Sequence, residues 1–230
     1  MRRAKAIEAA LGRAQSYRAA ARAFAPPTDA ERLAAELRAW AARSSGPLAE
    51  ALARAEVALS TSGSALAAAH ERLLGGRGCG VACRETPYAD ARRIAPTDLA
   101  DLAGFLRAFG LTAASAPPDH VCTECELASV LALKEAYALA EGWTGPAALA
   151  RSAYERLLAE HLACWIPQFT ERVREAATEP FYAAAADALE GLVRSEVERL
   201  GVAVGERTAP LVAATDTSDL TCGETCGRAT

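Results

Sequence analysis

Six of the seven cysteines in this 230-residue chain come in close pairs. They are Cys79 with Cys83, Cys122 with Cys125, and Cys222 with Cys226, while Cys164 stands alone. Two thiolates a few residues apart can grip one metal ion, and two or three such pairs brought together make a tetrahedral site. Zinc is the chemically simplest occupant, and an iron–sulfur cluster is the other. The same pairs also suit separate thiols, local disulfides or a redox-active CxxC. A second group gathers around Pro117-Pro118: Asp119, His120, Glu124 and Glu126. Carboxylates beside an apolar surface suit a guanidinium, which is always charged and binds them in two-pronged geometry. Glu124 lies four residues after His120, on the same face if the segment is helical. Plainer roles compete. Asp119 is placed to cap the helix that follows, and Glu126 suits a solvated helix face.

The composition narrows what such groups can serve. Hydrophobic residues make up 51%, which argues against wholesale disorder, and much of that fraction is alanine. The net charge of −4 does not favour nucleic acid, which needs a basic face, and weakly suits a basic partner. Lysine occurs only at Lys5 and Lys134, so nearly all positive charge is arginine. No run of about 20 apolar residues exists to span a membrane. Met1-Arg2-Arg3 has the paired arginines of an export signal, but Lys5, Glu8, Arg13 and Arg18 interrupt the apolar stretch such a signal needs. The start reads as an amphipathic helix and the protein as cytoplasmic. No phosphate-cradling glycine motif and no nucleophile motif is present, so an enzyme is not expected.

The elements that must position these groups are helices. Arg2 to Phe24 reads as the first, stopped by Pro26-Pro27, and Thr28 or Asp29 caps the second. A third starts at Pro47 and a fourth ends near Leu74, before the glycine-rich run 75–80. Thr97 is expected to cap the next, with Leu99, Leu102, Leu106 and Phe109 at helical spacing and Gly110 ending it. A long helix follows from His120 to Glu141. Another runs to about Cys164, Pro167 is read as starting a short one, and Pro180 as starting the last, ended by Gly201. No alternating run calls for a sheet. The fold class is therefore all-α, a single-domain helical bundle over residues 1–204, with a cysteine-containing tail at 205–230.

Several motifs fall in a specific order between Pro87 and Gly201. Pro87-Tyr88 comes first. Next is the run Gly104 to Gly110, with Phe105 and Phe109, then Pro118-Asp119-His120, Glu124-Cys125-Glu126-Leu127, and Glu160-His161-Leu162 followed by Trp165, Pro167 and Phe169. This order resembles the TorD/DmsD/NarJ family of redox-enzyme maturation chaperones, whose signature runs PPYE, GFYxAFG, PDH, ELEF, EHLxxWxPxF. The chain departs from ELEF by carrying Cys122 and Cys125 there.

The resemblance implies a helical chaperone, of the TorD/DmsD-like type. It would bind the twin-arginine signal peptide, or the apo-form, of a molybdenum-cofactor oxidoreductase until its cofactor is inserted. It implies a monomer or a helix-swapped homodimer, and no cofactor of the chaperone's own. Asp119, His120, Glu124 and Glu126 would then face the arginines. Tyr88, Phe105, Phe109 and Trp165 would anchor the apolar part of the peptide. The competing reading is a metal- or redox-sensing helical protein in which the cysteine pairs are the point and the bundle is a scaffold.

Overall fold

A computed structural model describes residues 2–75, 80–88, 95–113 and 116–205. Its elements are α1 (Arg2–Phe24), α2 (Ala30–Ala41), α3 (Gly46–Ser62), α4 (Ala65–Leu74), a 3₁₀ turn (Thr86–Tyr88), α5 (Ala95–Ala108), α6 (Val121–Glu141), α7 (Thr144–Leu157), a π-helical turn (Leu158–Leu162), α8 (Ala163–Ala176) and α9 (Pro180–Leu200). The expected all-α bundle is what forms, with no strand among the described residues. The tail expected at 205–230 lies, beyond Gly205, outside them. No described helix is long and apolar enough to cross a membrane.

The helix ends follow local chemistry. Asp29 caps α2, its side chain accepting from the Arg32 amide at 2.9 Å. Gly142 and Gly201 end α6 and α9 in left-handed conformation, at φ 79° and 63°, where a Cβ would be strained. Two expectations change. Helix α5 begins at Ala95, two residues before the expected Thr97 cap. Pro167 lies inside α8 instead of starting a helix. A proline cannot donate to the carbonyl four residues back and crowds it. The π turn immediately upstream is the irregularity that lets α7 and α8 run on through Pro167.

The centre of the bundle is the pairing of α1 with α6, flanked by α7 and α9. Alanines make the close approach: Ala10, Ala14, Ala20 and Ala21 on α1 and Ala128 and Ala132 on α6 are all buried. The Ser129 hydroxyl crosses the seam to the Ala14 carbonyl at 2.7 Å. Arg13 of α1 is buried too, and it pairs with Glu135 of α6. Glu196 of α9 stands 3.8 Å from Arg13 and accepts from the Tyr154 hydroxyl at 2.7 Å, so one polar knot ties α1, α6, α7 and α9. Arg3 donates through Nε to the Leu139 carbonyl at 2.6 Å, at the C-terminal end of α6. The start of the chain is therefore ordinary helix from Arg2 onward, and Arg3 satisfies carbonyls that α6 leaves open.

A second, aromatic cluster joins the end of α1 to α8. Phe24 meets Phe169 edge-on at 5.3 Å, and Trp165 meets Phe169 at 5.3 Å and Tyr88 at 5.5 Å. Tyr88 brings the segment 80–88 with it. That segment is also stitched to the start of α6 by backbone bonds, Val121 to the Cys83 carbonyl at 2.9 Å and Glu85 to the Asp119 carbonyl at 2.8 Å.

Candidate functional site

Two neighbouring concavities open where α1 ends. The larger, about 560 Å³, lies between the end of α1, α4, the segment after α5 and the first turns of α6. Its wall is largely apolar: Leu74, Leu106, Leu111, Leu127 and Val130. Polar groups enter from His70 and Glu71 on α4, and from His120 and Glu126 at the start of α6. The smaller, about 240 Å³, lies across the α1–α2 connection, against Pro26, Pro27, Leu33 and Leu59. Ala25, Pro26 and Glu126 line both, so the two form one trough with Glu126 at the join.

Glu71 and Glu126 are both exposed, and neither makes an ion pair or a side-chain hydrogen bond among the described residues. Glu71 sits where it does because residue 75 is glycine. A Cβ on Gly75 would come within 2.5 Å of both the Glu71 carboxyl carbon and the Glu71 carbonyl oxygen. Nothing about Glu71 marks it in the sequence beyond its place one turn before that glycine.

The carboxylates expected to act together are separated. Asp119 is 1% exposed. Arg84 donates through Nε to both its oxygens, at 2.9 and 3.2 Å, and Thr86 donates to Oδ2 at 2.6 Å. Its guanidinium is therefore the protein's own, and its work is to hold segment 80–88 against α6. Nor does Asp119 cap that helix. His120 does, its Nδ1 accepting from the Cys122 amide at 3.1 Å. Burial holds the His120 pKa below its ordinary value, reinforced by Arg84 and His70 and opposed by Asp119. The neutral ring that results is the form able to accept.

Glu124 turns inward, fully buried, and accepts from the Trp165 indole N–H at 3.1 Å. Burial, and then the charge of Glu85, push its pKa well above the ordinary value, against the pull of His161 and Trp165. His161 lies beside it, between Glu85 at 2.9 Å and Asp101 at 3.3 Å. Arg156 grips Asp101 through two 2.9 Å bonds and reaches Glu160 at 3.1 Å. Asp101, Glu160 and His161 are close enough to share a metal ion, but Arg156 already neutralises the two carboxylates.

Three of the four expected aromatic anchors also lie inside. Trp165, Phe105 and Tyr88 are buried, with Phe105 edge-on to His161 at 6.1 Å and beneath the Arg156 guanidinium at 5.2 Å. Phe109 is half-buried against the core. What the trough keeps of the expected set is His120 and Glu126; Glu71 and the aliphatic wall join them.

Of the cysteines expected to ligate metal, Cys79, Cys222 and Cys226 lie outside the described residues. Cys83 is buried, its thiol 3.7 Å from the Leu74 and Val81 carbonyls. Cys125 is fully buried on α6, and burial pushes its pKa well up. Cys122 is half-buried and lines the trough, and burial and then Cys83 push its pKa up to about 12. No three thiols come within ligand distance of one another among the described residues.

Comparison with known proteins agrees with the order of motifs. The model of the nitrate reductase delta subunit family matches residues 30–171. A chlorate reductase assembly chaperone protein of Ideonella dechloratans is 39% identical over 84 residues, 36% of this chain and 42% of the relative. A selenate reductase assembly chaperone protein of Thauera selenatis is 39% identical over 84 residues, with the same shares. The match thus spans less than half the length of either relative. The family match covers well over half of the chain, which belongs to the nitrate reductase delta subunit family, the NarJ/TorD type of chaperone.

Proposed function

We propose that this protein is a cytoplasmic maturation chaperone for an oxidoreductase, binding a segment of the immature catalytic subunit in the trough between α1, α4 and α6. It is a binding protein and not an enzyme. The client is a molybdenum-cofactor oxidoreductase, and the segment is its arginine-bearing export peptide, held until the cofactor is in place. The names of the two relatives support the assembly role, since each is a chaperone of a reductase.

The observation that carries the reading is the contrast between acids. Asp119, Glu124 and Asp101 are engaged inside the protein, while Glu71 and Glu126 have no ion-pair partner among the described residues and line a largely apolar trough. An apolar groove with free carboxylates complements a segment with guanidinium groups beside apolar side chains. Calorimetric titration tests it. A peptide with two adjacent arginines should bind more tightly than its dialanine counterpart, and the gap should narrow as salt is raised. Glu126→Gln and Glu71→Gln should each weaken the diarginine peptide by about tenfold, the scale of one hydrogen bond to a charged group, and leave the dialanine peptide unchanged. Equal affinity of the wild type for the two peptides would refute the reading.

A further inference from the structure

Four of the seven exposed large apolar side chains among the described residues gather in one place: Leu11 at 38%, Leu133 at 51%, Tyr137 at 59% and Trp143 at 51%. Two hydrogen bonds set the antiparallel register of α1 and α6 there. Ser129 donates to the Ala14 carbonyl at 2.7 Å, and Arg3 Nε donates to the Leu139 carbonyl at 2.6 Å. Leu11 precedes Ala14 by three residues and Leu133 follows Ser129 by four. Each therefore lies one turn further along the same flank, toward Arg3. Ile7, half-buried, and Tyr137 come one turn beyond, and Trp143 closes the row edge-on to Tyr137 at 5.7 Å. The result is an apolar seam between two helices, open to solvent for roughly 16 Å. Clustered exposed leucines and aromatics are the mark of a surface that another polypeptide covers.

The charges beside the seam identify the occupant. Glu8 flanks it on α1 and Lys134 on α6. Both are exposed, and neither has an ion pair or side-chain hydrogen bond among the described residues. In the register set by the two bonds they stand level, on opposite sides of the seam. A twofold axis running along the seam lays α1 of one copy over α6 of the other and keeps that level. It sets Glu8 of each copy against Lys134 of the other, twice, with the leucines and aromatics between. We propose that this seam is a homodimer interface, its occupant a second copy of the chain. No helix changes places, because Arg13–Glu135 and Ser129–Ala14 hold α1 to α6 within each chain. An apolar strip of this size with charge pairs at its rim belongs at the small end of specific interfaces, so the dimer dissociates on dilution. Val130 and Glu126 continue the stripe of Leu133 and Tyr137 into the trough, so the pair carries its two troughs at the same end.

Sedimentation velocity over a concentration series tests this. The wild type should pass from monomer to dimer as concentration rises. Glu8→Lys and Lys134→Glu each turn two attractive contacts into repulsive ones, and each should raise the dissociation constant by about tenfold. The double variant, Glu8→Lys with Lys134→Glu, exchanges the charges and should recover the wild-type value. Tyr137→Ser should weaken the dimer with no such recovery. All three positions are exposed, so the fold is not at stake. A carbodiimide, which joins carboxylates to lysines, should link Glu8 of an isotope-labelled chain to Lys134 of an unlabelled one. Lys5 and Lys134 are the only lysines, which makes the link easy to assign. A chain that stays monomeric throughout overturns the proposal. So does a dimer indifferent to the single charge reversals, or one that the double variant fails to restore. A dimer whose subunits exchange only after unfolding is built on swapped helices and overturns it as well. Peptide binding enters none of these readouts, so the interface stands or falls apart from the function of the trough.

Discussion

The Trp165 indole N–H donates to Glu124 Oε2 at 3.1 Å, joining α8 to α6 deep in the protein. The other Glu124 oxygen is buried with no hydrogen-bond partner among the described residues. A buried carboxylate with one donor and an acidic neighbour is better neutral than charged, which is why its pKa is raised. Two residues that look like a ligand site in a linear motif thus hold the bundle together.

Glu124→Gln should keep the bond to Trp165 and remove a cost of ionisation. The ordinary value for this carboxyl is 4.5, and the folded value is higher. Below about pH 4.5 both states are protonated. Above it the unfolded chain ionises first, so the folded wild type loses stability as pH rises until its own carboxyl ionises. Glu124→Gln has no such loss. Urea unfolding should therefore show the variant gaining on the wild type by at least about 1 kcal/mol between pH 5 and pH 7. Parallel curves would mean that Glu124 is already ionised in the fold.

His161 should give a dependence in the next pH range. Burial lowers its pKa, but the hydrogen bonds that its ring donates to Asp101 and Glu85 and the charge of Glu85 outweigh that and bring it to about 9. A raised value means that the stabilisation is complete below about pH 6.5 and is lost as pH rises through 9. The loss amounts to about 3 kcal/mol, at roughly 1.4 kcal/mol for each tenfold in proton affinity. Thermal unfolding of the wild type should show it between pH 6 and pH 9. His161→Gln should start lower and lose less over that range, keeping only the decline that Glu124 contributes.

The fold was readable because its punctuation is chemical and local. Proline pairs, Asp29, Gly142 and Gly201 stop or start helices through their own backbone properties, and the structure puts boundaries beside each. Pro167 misled because a π turn immediately upstream accommodates it inside a continuous helix. The site was half readable. Asp119 is singled out by the double proline before it, but its partner Arg84 is 35 residues away and no local pattern joins them. Glu126 kept its place at the surface because its neighbours Glu124 and Cys125 occupy the inward face of α6. Glu71 belongs to α4, which faces the start of α6 across the trough only in three dimensions.

Asp119 should therefore behave as a structural residue. Asp119→Ala removes the partner of Arg84 and Thr86 and frees segment 80–88 from the start of α6. Arg84 is 44% exposed and can return to water, so the cost should fall toward the low end of the ~3–5 kcal/mol typical of broken buried pairs. The distinguishing measurement is peptide binding. Any weakening caused by Asp119→Ala should be equal for diarginine and dialanine peptides, in contrast to Glu126→Gln. A loss confined to the diarginine peptide would return Asp119 to the binding surface.

The CxxC formed by Cys122 and Cys125 should be chemically quiet. A redox-active pair needs at least one thiol with a lowered pKa and access to solvent. Here burial drives both values up, Cys122 to about 12, and Cys125 is fully enclosed. The reactive thiolate is then a small fraction of the total at pH 8. Labelling with a chromogenic disulfide reagent, resolved by peptide mapping, should find Cys122 reacting far more slowly than a free thiol. Cys125 should react only when denaturant unfolds the chain. Rapid labelling of either residue in the folded protein, or an oxidised Cys122–Cys125 pair forming under mild oxidant, would show a thiol pair poised for electron transfer and would favour a sensing role over a purely packing one.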